Sequence, residues 1–250
     1  MKNQEIQKVY HTDFKVRSYE IDRRGNATIS SICNYFQEAA GLHAKHLHFD
    51  ISDLLETGMT WILYKMHIKM NHFPERWQDV KVVTWPSSGD GLRAFRDYEL
   101  RDESDNVLGA ALSQWMILKT ENRRPVRLPD EILNMGLETD HHVMDIDKRP
   151  VKNLDKEGAE LITKVGNFDL DMNNHVNNVK YIDWITGYNR NGSDLICDEV
   201  NIQYQAEALA GDSIYHKEIS PGNGLRKHTL YKGENKEVIA SAETHWRKPG

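Results

Sequence analysis

The sequence predicts an α+β protein built from two similar units, each an antiparallel sheet wrapped around one central helix. Two observations support this fold class. The second half of the chain repeats short patterns of the first half in the same order, and each half has one helical apolar pattern followed by several strand patterns. A helix with one apolar stripe buries that stripe against another element, and strands without helices between them pair in an antiparallel sheet.

The internal repeat consists of four matches. Ser18 to Gln37 (SYEIDRRGNATISSICNYFQ) aligns with Asn167 to Thr186 (NFDLDMNNHVNNVKYIDWIT), which pairs Asp22 with Asp171. Three later pairs of segments follow in the same order, beginning at Trp77 and Ala210, at Leu92 and Leu225, and at Val107 and Val238. Four matches in one order are hard to obtain by chance, so we expect one unit made twice.

Each half contains one predicted helix and four predicted strands. Apolar residues recur at helical spacing at Ile29, Ile32, Phe36 and Ala39, and again at Val176, Val179, Ile182 and Ile185. Alternating or β-branched runs follow the first helix (WILYKMHIKM, VKVVTW, LRAFRDYEL, LGAALSQWMIL) and the second (LICDEVNIQY, SIYHKEI, LRKHTLY, VIASAETHW). A polar, proline-containing segment between the halves has no repeat partner. We therefore expect an N-terminal unit at 1–125, a linker and crossover at 126–160, and a C-terminal unit at 161–250.

The composition argues against several classes of protein. A chain of 250 residues with 39% hydrophobic residues can form a sizeable core, and a net charge of -6 is unlike that of a general nucleic-acid binder. The two cysteines, Cys33 and Cys197, provide neither a disulfide framework nor a thiolate metal site. No apolar run resembles a signal peptide or a membrane span. We expect a cytoplasmic protein that does not insert into membranes.

The segment from Asn167 to Trp184 concentrates polar side chains in front of the second helical pattern. Asp171, Asn173 and His175 supply a carboxylate, an amide and an imidazole within five residues. Such groups can activate and orient a water molecule. They can also shape a tight turn and cap a helix, because Asn and Asp bond nearby backbone amides. The segment by itself leaves both interpretations open.

The chain as a whole resembles the acyl-acyl carrier protein thioesterases of plant plastids and bacteria. The motif before and within HVNNVKYIDW matches that family, and VRSYEID, MTWILYKMHIKMNHFPERWQDVKVVTW and RPVRLPDEI occur in the family's order. The resemblance implies a double hotdog fold, in agreement with the repeat. It also implies hydrolysis of fatty acyl-acyl carrier protein in fatty acid biosynthesis, with acyl carrier protein as partner and with no cofactor. Alternatives are an acyl-coenzyme A thioesterase of the same fold and a non-catalytic acyl-binding or carrier-docking module.

The resemblance also assigns the catalytic residues. The family's Asp, Asn and His fall on Asp171, Asn173 and His175, and its glutamate on the following strand falls on Glu207 in IQYQAEAL. Plant members usually have a cysteine directly after this glutamate, where this chain has Ala208, so we expect no cysteine nucleophile. Glu207 could activate water, or Asp171 could attack the carbonyl itself, while the start of the second helix offers amides to an oxyanion.

Further residues are predicted to bind the substrate and its carrier. Because the first half holds the fatty chain in this family, Trp61 and Met66 are candidates for lining an acyl pocket, although they could equally be ordinary core residues. The basic segment RRPVR, with Arg123, Arg124 and Arg127, could dock an acidic carrier protein or could be a solvated loop. An exposed sheet edge would be compatible with a homodimer.

Histidines in two segments raise the question of a metal site. HAKHLH contains His43, His46 and His48, and His141 and His142 lie in the linker. No cysteine or acidic cluster completes a recognised ligand spacing. We expect a solvated helix end at HAKHLH and no metal.

Overall fold

The computed structural model describes residues 7–134, 142–187 and 194–249. The first part of the chain contains β1 (Tyr10–Lys15), α1 (Ile29–His46), α2 (Ile51–Glu56), β2 (Met59–Met70), β3 (Asp79–Gly89), β4 (Ala94–Arg101), β5 (Val107–Lys119), β6 (Pro125–Val126) and α3 (Asp130–Leu133). The second contains β7 (Glu160–Lys164), a 3-10 turn (Asn167–Asp169), α4 (Asn178–Gly187), β8 (Ile196–Tyr204), β9 (Ser213–Gly222), β10 (Leu225–Lys232) and β11 (Glu237–Arg247). The predicted α+β class is confirmed.

The chain forms two compact units. The first unit comprises residues 1–64 and 70–146, and the second comprises 65–69 and 147–250, so β2 contributes residues to both. Strands of the first unit follow the order β1-β3-β4-β5-β2, with β6 on β5. In the second unit, the 65–69 segment is followed by β8, β11, β10, β9 and β7. Every strand pair with a described register is antiparallel.

One long helix packs on the strands of each unit, as the apolar stripes predict. In the first unit α1 contacts β1 and β3, and the side chain of Thr28 caps it by accepting from the amide of Ser31. In the second unit α4 contacts β8 and β10. All eight stripe residues named above are buried. None of the described helices is long and apolar enough to cross a membrane.

The histidine segment HAKHLH departs from the prediction of a solvated helix end. His43 is fully buried, whereas His46 and His48 are exposed. His43 stands seven residues after Phe36 and therefore continues the buried stripe of α1. Its Nδ1 accepts a hydrogen bond from Arg96 (2.9 Å) and its Nε2 donates to the carbonyl of Gln7 (2.8 Å). His141 lies outside the described residues.

The predicted linker between the two halves of the chain is held in place at several points. In the first unit, β6 pairs with β5, and the Asp97 carboxylate accepts from His142 (3.0 Å) and from the amide of Val143 (2.8 Å). In the second unit, the buried Lys65 ammonium donates to the carbonyls of Asp147 and Arg149, both at 3.1 Å. The predicted linker therefore contributes ordered structure to each unit.

Candidate active site

A tight turn in the second unit positions the first three candidate residues. The Oδ1 atom of Asp171 accepts from the amides of Asn173 (2.8 Å) and His175 (3.2 Å). The amide of Asp171 donates back to the carbonyl of His175 (2.7 Å). Asn174 has a left-handed backbone (φ 61), which asparagine tolerates better than most residues. The turn places the His175 side chain at the start of α4.

Helix α4 begins at Asn178, two residues later than the apolar pattern indicated. Val176 instead bridges to Leu170, and the Asn177 side chain caps the helix by accepting from the amide of Val179 (2.9 Å). Asn177 is therefore the N-cap residue of α4. The first helical amide, that of Asn178, makes no hydrogen bond within the described residues.

Glu207 lies in an irregular segment beyond β8 and not on the strand itself, which corrects the prediction. The strand ends at Tyr204. The amides of Gln205 and Ala206 both donate to the carbonyl of Ile239 (2.8 and 3.2 Å). The regular hydrogen bonding between β8 and β11 therefore ends there. The Lys232 ammonium donates to the Glu207 carbonyl (2.7 Å). These bonds hold the backbone of Glu207 in place.

Two further contacts join the Glu207 segment to the turn and to α4. The amide of Val176 donates to the carbonyl of Ala208 (2.9 Å). The buried Tyr181 hydroxyl donates to the Ala206 carbonyl (3.4 Å) and accepts from the Ala208 amide (3.1 Å), so it holds the residues on both sides of Glu207. Burial, and the negative charges of Glu207, Asp212 and Asp171, raise the pKa of Tyr181, which keeps the hydroxyl neutral. Sequence analysis missed this role of Tyr181.

The turn and the Glu207 segment bring two of the candidate side chains into direct contact. His175 Nδ1 lies 3.3 Å from Glu207 Oε1, and the two side chains are 31% and 40% exposed. Because a carboxylate only accepts hydrogen bonds, an Nδ1 proton directed at Glu207 would leave Nε2 as an acceptor. The Asn173 side chain lies in the same turn but makes no hydrogen bond to a described residue. The site therefore holds an oriented imidazole that substrate can reach.

The first unit contains the same turn without these side chains. There Asp22 Oδ1 accepts from the amides of Arg24 (2.8 Å) and Asn26 (3.2 Å), the same pattern as at Asp171. Asn26 occupies the position of His175. The amide of Ala27 donates to the carbonyl of Pro74 (2.8 Å), so the residue before Pro74, a phenylalanine, occupies the position of Glu207. The turn thus belongs to the repeated unit, whereas the imidazole–carboxylate pair is specific to the second unit.

The two aspartates differ at their second oxygen. Asp22 Oδ2 accepts from the guanidinium of Arg24 (3.0 Å). No described residue donates a hydrogen bond to Asp171 Oδ2. Asp171 therefore combines the turn-forming role of its counterpart with one carboxylate oxygen that can contact water or substrate.

The candidate acyl-lining residues lie in different units. Trp61 is half-buried in the first unit, where it packs against the buried residues Leu54, Ile117 and Leu128 and meets Trp115 edge to face at 6.5 Å. Met66 is buried in the second unit, where its strand segment pairs with β8. The candidate docking residues Arg123, Arg124 and Arg127 are all exposed, at and after the turn between β5 and β6.

Both cysteines are buried. Cys33 lies on the buried face of α1 in the first unit. Cys197 is the second residue of β8, and Tyr204, where the strand ends before Glu207, is roughly 23 Å further along at the usual rise per residue. Burial raises the pKa of Cys197, which keeps it a thiol. Cys197 is therefore neither placed nor ionised as a nucleophile for this site.

Family models cover most of the chain. The model of the acyl-ACP thioesterase N-terminal domain matches residues 7–135, and that of the C-terminal domain matches residues 152–248. The chain belongs to the acyl-acyl carrier protein thioesterase family. The resemblance found in the sequence motifs is thereby confirmed.

Two curated relatives of this thioesterase family member are plant proteins. It is 33% identical over 195 residues to the chloroplastic palmitoyl-acyl carrier protein thioesterase of Cuphea hookeriana, covering 71% of this chain and 46% of that protein. It is 29% identical over 200 residues to the chloroplastic oleoyl-acyl carrier protein thioesterase of Coriandrum sativum, covering 70% and 52%. The chain spans about half the length of these relatives.

Solved structures of thioesterases share the fold. An acyl-ACP thioesterase from Bacteroides thetaiotaomicron superposes with a TM-score of 0.86 at 21% identity, covering 96% of this chain and 98% of that one. The 12:0-ACP thioesterase from Umbellularia californica gives a TM-score of 0.85 at 23% identity, with the same coverage of both chains. The hotdog fold implied by the sequence is therefore supported.

Proposed function

We propose that this protein hydrolyses the thioester of fatty acyl-acyl carrier protein and releases free fatty acid and holo-carrier protein in fatty acid biosynthesis. The observation that carries the proposal is the contact between His175 and Glu207, which the second unit has and the matching turn of the first unit lacks. Membership in a family of acyl-ACP thioesterases supports the choice of substrate. We also propose that the chain forms two hotdog units and that the reaction takes place in the second unit.

Water is the attacking group in the proposed mechanism. Glu207 accepts a hydrogen bond from Nδ1–H of His175 and orients the ring, and Nε2 takes a proton from water as the water oxygen bonds to the thioester carbonyl carbon. The carbon–sulfur bond breaks when the tetrahedral intermediate collapses, and His175 returns the proton to the departing thiolate. The unbonded amide of Asn178 at the start of α4 is suited to the oxyanion.

Asp171 and Asn173 complete the proposed catalytic set. The Oδ2 atom of Asp171 and the side-chain amide of Asn173 make no hydrogen bond within the described residues, and both are suited to steering the water. The alternative is direct attack by Asp171 on the carbonyl, which would form an anhydride. Mass-spectrometric detection of an acyl group on Asp171 during turnover would support the alternative, and its absence with single-turnover incorporation of labelled water would support water attack.

Substrate recognition is proposed to be divided among other residues. Trp61 and Met66 are assigned to the acyl chain, and Arg123, Arg124 and Arg127 to the acidic carrier protein. A homodimer and a cytoplasmic location stay proposals, the latter because the curated relatives named above are chloroplastic.

A substrate comparison tests the proposed function. Purified protein is assayed with a ladder of acyl groups carried either on acyl carrier protein or on coenzyme A. We expect higher kcat/KM for the carrier-bound series. Equal or better hydrolysis of the coenzyme A series would favour an acyl-coenzyme A thioesterase. Tight binding of acyl carriers without hydrolysis would favour a non-catalytic module.

A further inference from the structure

A second group of chemistry-bearing side chains lies in the second unit, on the neighbouring strands β9 and β10. His216 and His228 are buried, and Glu218 is half-buried beside them. His216 Nε2 lies 3.0 Å from His228 Nδ1, and His228 Nδ1 lies 3.7 Å from Glu218 Oε2. All three ligand atoms lie within 4.8 Å of one another. None of these residues belongs to the proposed catalytic set.

The spacing of these atoms suits one shared metal ion. Two nitrogen or oxygen ligands bound to a tetrahedral zinc ion at ~2.0–2.1 Å are roughly 3.3 Å apart. The two shorter separations here, 3.0 and 3.7 Å, lie on either side of that value. Small side-chain rotations would admit an ion where the proton between the two rings now lies. Two imidazoles and one carboxylate also form a common ligand set for divalent transition metals.

A hydroxyl group orients the ligand atom of His228. His228 Nε2 lies 2.8 Å from the Oγ1 atom of Thr244, which also accepts from the Trp246 indole (2.7 Å). When His228 Nε2 donates to this oxygen, Nδ1 presents its lone pair to His216 and Glu218. A hydrogen bond from the second ring nitrogen is the usual support of a metal-binding histidine. The other Glu218 oxygen, Oε1, accepts from Arg226 (3.4 Å), which leaves Oε2 toward His228.

The first unit shows that the fold does not require an imidazole at this place. There the Trp115 indole donates to the Ser113 hydroxyl (2.7 Å), and that hydroxyl lies 3.0 Å from the hydroxyl of Tyr98. In the observed strand register Tyr98 occupies the position of His228, which shifts the sequence match that began at Leu92 and Leu225 by three residues. The strand pairing agrees, since the residue two before Tyr98 pairs with Ser113 just as the residue two before His228 pairs with Thr244.

The remaining two positions differ in the same way. Thr84 pairs with Tyr98 in the first unit, as Glu218 pairs with His228 in the second. Val82, two residues before Thr84, therefore corresponds to His216. An apolar residue and two hydroxyl-bearing residues fill these positions in one copy of the unit, and three potential metal ligands fill them in the other. The two copies of the unit therefore differ in their metal-binding capacity at these three positions.

We propose that His216, Glu218 and His228 bind one divalent transition-metal ion of the zinc class, with water completing its coordination. The ion would join β9 to β10 and would take no part in the thioester chemistry. The proposal is independent of the proposed function, because it concerns a separate set of residues.

Metal titration of the full chain without an affinity tag tests the proposal. The protein is stripped with a chelator, desalted and titrated with Zn²⁺, and bound metal and the thermal midpoint are measured. We expect about one equivalent of zinc to survive desalting and to raise the midpoint. The variants His216→Val and His228→Tyr copy the first unit and should fold, as circular dichroism checks, yet should lose the zinc and the midpoint shift.

His67→Gln serves as the matched control, because His67 contacts Glu199 at 2.7 Å in the same unit and should leave zinc binding unchanged. Wild-type protein that retains no stoichiometric zinc would overturn the proposal. Zinc retention that is equal in wild type, His216→Val and His228→Tyr would also overturn it, because the ion would then be bound elsewhere.

Discussion

Asp171 and Asp22 form the same backbone turn, and only the surroundings of the second carboxylate oxygen separate them. Each Oδ1 atom accepts hydrogen bonds from two backbone amides, with N···O distances of 2.8 and 3.2 Å in both turns. Oδ2 is bonded to Arg24 in one turn and to no described residue in the other. The pair is an internal control for distinguishing a turn former from a residue that also contacts the reacting groups.

Replacing each aspartate by asparagine keeps an oxygen acceptor for the turn and removes the charge. We expect Asp22→Asn and Asp171→Asn to lower the free energy of unfolding by similar amounts, on the order of 1 kcal/mol. Only Asp171→Asn should lower kcat, by ~10² or more, because its Oδ2 is placed to steer water. Urea unfolding and steady-state kinetics measure both effects. If Asp22→Asn and Asp171→Asn had equally small effects on kcat, Asp171 would serve only to form the turn.

The buried histidine of α1 predicts how stability depends on pH. Burial first, and then the Arg96 charge, lower the pKa of His43 from 6.5 to about 4. The unfolded chain therefore binds more protons than the folded chain between these values, so stability is complete above pH 6.5 and falls as pH drops toward 4. A shift of this size corresponds to about 3 kcal/mol of unfolding free energy.

Unfolding free energies of wild type and His43→Gln between pH 4 and 7 test this prediction. The wild type should lose about 3 kcal/mol more than the variant over that range. His46→Gln, which changes an exposed histidine of the same helix, should behave as wild type. Parallel curves for wild type and His43→Gln would show that His43 does not control the acid response.

Among the elements, α4 combines a capped start with a hydroxyl that holds the Glu207 segment. Tyr181→Phe removes the acceptor of the Ala208 amide and the donor to Ala206. We expect a loss of ~1–3 kcal/mol in stability, because a buried amide is left without a partner. We also expect kcat to fall while KM changes little, since the segment that carries Glu207 loosens.

Tyr231→Phe provides the matched control for the tyrosine experiment. Tyr231 is also buried in the second unit, and its hydroxyl donates to the Leu154 carbonyl (2.7 Å). This variant should lose comparable stability with little change in kcat. If both variants lower kcat equally at temperatures where they are folded, Tyr181 has no special effect on the site.

The elements with strong periodic patterns could be predicted from the sequence, and those with weak patterns could not. Both long helices and all eight predicted strands are present. The short α2 was missed because six residues give too little periodicity, although Asp50 and Asp53 form a capping box at its start. β1 and β7 were missed because few of their residues are apolar.

The candidate site could be predicted in part for the same reason. Asp171, Asn173 and His175 are close in sequence, so their shared turn follows from local chemistry. The contact with Glu207, 32 residues after His175, depends on the pairing of β8 and β11 and on Tyr181, so spacing alone does not predict it. Only the family resemblance pointed to Glu207. The burial of His43 and His216 could have been predicted from the sequence, because each continues the buried periodicity of its element.

Because the whole protein has a net charge of -6, an acidic partner can bind favourably only at a local basic surface. Reversing Arg123, Arg124 and Arg127 to glutamate should lower kcat/KM for carrier-bound substrates at least ~10-fold at low salt and should leave a small acyl thioester unaffected. Salt should weaken this difference. The matched control reverses three exposed lysines elsewhere, Lys45, Lys152 and Lys248. Equal responses of the carrier-bound and small substrates would exclude a docking role.

The proposed chemistry depends on the contact between His175 and Glu207, and hydrolysis of acyl-acyl carrier protein by Glu207→Gln tests that contact. The substitution keeps the side-chain shape but no longer holds the Nδ1 proton of His175 as a carboxylate does. We predict a loss of ~10²–10⁴ in kcat. Glu237→Gln, at an exposed acid of the same unit, and the double variant Cys33→Ala, Cys197→Ala should keep most activity. Near-wild-type activity in Glu207→Gln, with activity abolished by loss of either cysteine, would contradict the mechanism.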